Sequence, residues 1–101
     1  MGDVDKNCRE QDMDTVECWL SLFESWPDAI KRRGAVVTKQ GETIPFINFL
    51  ISGGLLLVER DGPDVSGARK CIVAYDAIAM VKLTAAGEMS QFQSMGFQPT
   101  L

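Results

Sequence analysis

Val16, Trp19, Leu20 and Phe23 recur at i, i+3, i+4 and i+7, the spacing that lines one face of an α-helix. Asp14 stands just ahead of them with Glu17 three residues on, a capping-box arrangement with Asp where Ser or Thr is usual. The pattern predicts an amphipathic helix of about ten residues. Ser25-Trp26-Pro27-Asp28 then makes a second helix N-terminus, with proline in its first turn and Asp28 near the positive end of the dipole. A second short helix is predicted through Lys31-Arg32-Arg33, stopped by Gly34.

Beyond Gly34 the pattern changes from helical to extended. Residues 35–39, 43–51, 55–60, 69–75 and 78–84 are rich in β-branched and aromatic side chains and are read as five strands. Gln40-Gly41-Glu42, Ser52-Gly53-Gly54, residues 61–67 and Asp76-Ala77 separate them as turns or loops. Alternation is imperfect. In the second strand Ile44, Phe46 and Leu50 fall on one face and Ile47, Phe49 and Ile51 on the other; in the fourth, Ile72 opposes Cys71 and Val73. A five-stranded barrel has one interior, so the second apolar face has to meet the helix or another subunit.

Length then sets the scale. At 101 residues and 46% hydrophobic, the chain supports one modest core. The expected organisation is an acidic flexible N-terminus (1–13), a helix plus barrel domain (14–84) and a C-terminal tail (85–101) without clear period, which either dangles or docks on a neighbour. The charge is segregated. Residues 1–30 carry two basic and eight acidic side chains, residues 31–84 eight basic and five acidic, as in an anion-binding body with an acidic appendage or in an ordinary mixed surface. Three cysteines, Cys8, Cys18 and Cys71, without C-x-x-C spacing and without a signal-like N-terminus, point to a reducing cytoplasm. The longest uncharged stretch, 43–58, is too short for a membrane helix, and no membrane partner is expected.

The order of helix, strand, x-Gly turn, long bent strand, third strand, variable loop and two closely joined strands resembles the Sm-like fold of the Sm and LSm ring proteins and the bacterial RNA chaperone Hfq. Residues 72–81, with Tyr75 and Ala77-Ile78, are similar to the second Sm motif in its bacterial form. Gln40-Gly41 and the hydrophobic run after Ser52-Gly53-Gly54 lie against the first. The likeness spans residues 25–84 and implies a mainly β fold with an N-terminal helix, a strongly bent five-stranded antiparallel SH3-like barrel. It also implies a homo-oligomeric ring of about five to seven subunits that binds single-stranded RNA. The implied interface joins the fourth strand of one copy to the fifth of the next, and so falls on Cys71, Ile72, Val73, Tyr75, Ile78 and Met80. The chain departs from the family where RNA is held: Ser52-Gly53-Gly54 replaces the Asp and Asn after the second strand, Asp76-Ala77 replaces Lys-His, and Phe46 replaces a glycine.

Candidate RNA contacts are Lys31, Arg32, Arg33, Lys82 and Tyr75. The basic trio either touches phosphates or serves the negative end of a helix; Tyr75 either stacks on a base or packs in a core or interface. Trp19, Phe23 and Trp26 form either a partner stripe or the helix's own packing face. Asp61 and Asp64 read as a solvated turn, since one Asp-x-x-Asp lacks the oxygen ligands calcium needs. No metal or cofactor is expected. With no histidine in the chain, and no P-loop or dinucleotide fingerprint, a non-enzyme is expected. Two functions remain: a ring that binds single-stranded RNA, and a ring that serves as a scaffold for another protein. A monomeric SH3-like adaptor is a third and weaker reading.

Overall fold

The computed structural model describes residues 14–84 and 87–99; the expected acidic N-terminus, 1–13, lies outside the described residues. Helix α1 spans Thr15–Glu24, as the apolar spacing predicts, and Asp14 caps it by accepting the Glu17 N–H at 2.9 Å. Such a cap is worth about 1 kcal/mol. The second short helix does not form. Residues 25–33 make turns instead, closed by the Ile30 N–H to the Pro27 carbonyl at 3.1 Å. The buried Trp26 indole donates to the Ile30 carbonyl at 2.9 Å, tying off the acceptor that a continuing helix would use.

Six strands follow: β1 (Gly34–Thr38), β2 (Thr43–Phe46), β3 (Asn48–Ile51), β4 (Leu55–Glu59), β5 (Lys70–Ala74) and β6 (Ile78–Leu83). They form two separate three-stranded antiparallel sheets, ordered β2-β1-β6 and β3-β4-β5. The expected five-stranded barrel is therefore incorrect: neither sheet closes on itself. The cause lies at Ile47. Up to there the inward side chains are the even-numbered Ile44 and Phe46; after it the buried residue is Phe49, and Leu50 points outward. This one-residue slip in the period-two pattern reverses the faces. The strand changes partner at the same place, β2 pairing with β1 and β3 with β4. The Ile47 N–H already reaches the Glu59 carbonyl of the second sheet at 2.8 Å.

A second crossing follows β5, where a 3-10 turn, Tyr75–Ala77, carries the chain back to the first sheet. The core lies between the sheets and under α1: Phe23, Trp26, Ile30, Val36, Ile44, Phe46, Phe49, Leu56, Val58, Val73, Tyr75 and Ile78 are all buried. Phe23 is its hub, with ring centroids 5.1 Å from Phe49, 6.1 Å from Trp26 and 6.1 Å from Tyr75. The described part of the tail, 87–99, docks on its own chain rather than dangling. Met89–Met95 forms a 3-10 helix with a Glu88–Gln91 capping box, and Phe92 and Met95 pack against the core.

Candidate assembly edges and a basic cleft

Among the described residues each sheet ends in two strands with one side unpaired, β2 and β6 in the first and β3 and β5 in the second. In the described structure β5 pairs only with β4, and β6 only with β1. In an antiparallel ladder alternate residues turn their backbone groups towards the same neighbour. Directly opposed residues are bonded at Arg60–Arg69 (2.8 Å) and Gly54–Tyr75 (3.3 Å), so Cys71 and Val73 bond towards β4. Lys70, Ile72 and Ala74 therefore present N–H and C=O groups at the open edge. Thr84 bonds Arg33 at 3.3 Å in the same way, which leaves Val81 and Leu83 facing outward from β6. Open edges of this kind are templates for another strand.

The expected interface residues divide accordingly. Ile72, 68% exposed, and Met80, 49% exposed, offer side chains to a partner. Val73, Tyr75 and Ile78 are buried in the chain's own core, and Cys71 is a half-buried free thiol on the inward face.

Tyr75 is fully buried. Its hydroxyl donates to the Ser52 carbonyl at 3.0 Å, and burial raises its pKa above the usual tyrosine value. With both ring faces inside, Tyr75 has none to offer a base, and base stacking there is corrected to core packing. Asp76 beside it is exposed.

Lys31, Arg32 and Arg33 do meet at one place, a shallow cleft of about 350 Å³ lined also by Pro27, Asp28, Ile30, Ile47 and Asn48. Lys82 and Tyr75 are not among its walls. Arg32 is already engaged, its guanidinium donating to the Phe49 carbonyl at 3.2 Å and lying 4.6 Å from the centre of the Phe49 ring. The contact is a cation–π arrangement backed by a hydrogen bond. Nothing in the sequence signalled it, because the partners stand 17 residues apart.

The aromatic stripe of α1 serves the chain's own core. Phe23 and Trp26 are buried in it and Trp19 packs against them, although the buried Trp19 indole N–H has no acceptor among the described residues. Asp64 organises its loop: one carboxylate oxygen accepts from the Ser66 hydroxyl (2.7 Å), the Ser66 N–H (2.8 Å) and the Ala68 N–H (2.8 Å). These bonds, the Ser66 hydroxyl foremost, hold its pKa below the usual aspartate value. Among the described residues no group of three or more His, Cys, Asp or Glu side chains is placed to hold a metal. None of the described helices is long and apolar enough to cross a membrane. No protein-family model, curated protein or solved structure matches the chain.

Proposed function

We propose that this chain is a self-assembling scaffold subunit, in which the open edge of β5 on one copy pairs with the open edge of β6 on the next, in the manner of Sm-like rings. The observation that carries the reading is that β5 and β6, each with an open edge among the described residues, are consecutive strands joined by only the three residues Tyr75–Ala77. The other two outer strands, β2 and β3, are by contrast halves of one strand bent at Ile47. Because the two edges belong to different sheets, the contact is head-to-tail, and such a contact closes into a ring when its rotation divides the circle. The buried Tyr75, the engaged Arg32 and the exposed Asp76 favour a scaffold over an RNA platform.

The test is the absolute mass in solution by light scattering, for the wild type and for Ile72→Pro. Ile72 has an exposed side chain and an amide on the open edge, so proline removes a donor to the neighbour but none to β4. A mass of several 11.1 kDa chains that falls to one chain in the variant supports the reading. A monomeric wild type overturns it.

The cleft walled by Lys31, Arg32, Arg33 and Asn48 favours a second reading, in which the same assembly holds single-stranded RNA at that rim. Anisotropy of a labelled oligouridylate should then rise on binding at low salt, weaken with added salt, and be lost in Lys31→Ala/Arg33→Ala. Absence of binding at low salt rejects this reading and leaves the scaffold standing.

A further inference from the structure

The strand registers place a continuous apolar row on the outer face of the second sheet. Leu50 on β3, Leu57 on β4 and Ile72 on β5 are directly opposite one another. Leu50 is 62% and Ile72 68% exposed. Two residues along the strands, Leu55, 48% exposed, stands opposite Ala74 and widens the row. On the other side it is bordered by Asn48, Glu59 and Lys70, also directly opposed and all exposed. The intervening positions, Phe49, Val58, Leu56 and Val73, point into the core. The sheet is thus apolar on both faces, and the described residues cover only one of them.

We propose that a second copy of this chain packs on that outer face, sheet against sheet, about a two-fold axis running between β4 and β5. The charge pattern selects this occupant and this axis. A rotation about a line between the two strands exchanges β4 with β5. It lays Leu57 over Ile72 of the second copy, Leu55 over Ala74, and Glu59 over Lys70, and every contact occurs twice. Placing the axis over β4 itself would set Glu59 against Glu59, so opposite charges fix the register while the apolar row supplies the burial. Packed sheets lie about 10 Å apart, which leaves room for one layer of these side chains from each copy.

The contact is small. With the axis between β4 and β5 only those two strands overlap and Leu50 stays at the margin. Two strands of five residues cover on the order of 150 Å² per copy, against roughly 800 Å² per partner in a standard interface. The inference therefore rests on the edge-paired assembly proposed above, because a closed ring repeats the contact once per subunit and multiplies a weak one into a stable one. The result is two rings stacked face to face.

Light scattering on the full chain tests this with substitutions that leave the β5 amides intact. The wild type should have twice the mass of both Lys70→Glu and Ile72→Lys, and the charge exchange Glu59→Lys/Lys70→Glu should restore the full mass. Circular dichroism should be unchanged throughout, since all three side chains are exposed. A wild-type oligomer whose mass is the same in Lys70→Glu and Ile72→Lys, yet collapses to one chain in Ile72→Pro, overturns the stacking and leaves the edge pairing intact; the face then belongs to a different protein. A dimer split by Ile72→Lys supports the face contact and overturns the ring. A monomeric wild type overturns both.

Discussion

The Tyr75 hydroxyl donates a 3.0 Å hydrogen bond to the carbonyl of Ser52, 23 residues earlier in the chain. The bond ties the turn after β3 to the 3-10 turn at which the chain leaves one sheet for the other, and the ring beneath it stacks on Phe23 of α1. Tyr75→Phe keeps the ring and loses the bond, so it should cost about 0.5–1.5 kcal/mol in urea unfolding. Tyr75→Ala removes the ring as well and should cost about 3–5 kcal/mol.

The same residue predicts an alkaline limit. Burial raises the folded-state pKa of Tyr75 above its ordinary value of 10.0, so the unfolded chain releases this proton first as pH rises. Its contribution is constant below the unfolded value and turns against folding above it. Unfolding curves recorded between neutral pH and pH values above about 10 should show a decline that is smaller in Tyr75→Phe.

Gly34 is required for contact rather than for an unusual backbone. A Cβ there would collide with the Lys82 carbonyl oxygen, with the Lys82 carbonyl carbon at 3.1 Å and the Leu83 Cα at 3.2 Å. Gly34→Ala should therefore force β1 away from β6 and cost about 1–3 kcal/mol. Gly41, at φ 93° with open space around it, should lose about 1–2 kcal/mol on replacement by Ala, from backbone strain alone. Backbone shifts in β6, visible in an amide NMR spectrum, should accompany the first change and not the second.

Arg32→Lys should not be conservative. Lysine keeps the charge but replaces the planar guanidinium that both lies over Phe49 and donates to its carbonyl, and the loss should be about 0.5–1 kcal/mol. Arg33→Lys, next to it and with no such side-chain contact among the described residues, should be neutral within about 0.5 kcal/mol. Chemical unfolding of the two variants side by side checks the difference.

Asp64 should titrate below 3.8 in the folded protein, because the Ser66 hydroxyl and the Ala68 and Ser66 N–H groups all stabilise its ionised form. A lowered folded-state pKa means that its contribution is present above the unfolded value and is lost as pH falls through the folded one. A carboxyl-carbon NMR titration reads the pKa directly. Asp64→Ala should lessen the acid-range change and loosen residues 64–68 in hydrogen exchange, leaving β4 and β5 protected.

Local physics made much of this fold legible in the sequence. The Asp14 cap, the i, i+3, i+4, i+7 face of α1 and the glycine turn at Gly41 depend on residues within a few positions of one another, so spacing alone identifies them. Mostly β structure after Gly34 followed from the same kind of signal. The second short helix failed although its local signals were sound, because the Trp26 indole closed the segment as a turn against the core.

What the tertiary structure alone decided was which face is inside and which strand neighbours which. Alternation in residues 43–51 showed two apolar faces; the slip at Ile47 that divides them between two sheets appears only once β1 and β4 compete for the strand. The burial of Tyr75, the capture of Arg32 by Phe49 and the alignment of Leu57 with Ile72 join residues 15 or more positions apart. Such contacts are set by strand register and packing, which no local pattern of residue types contains.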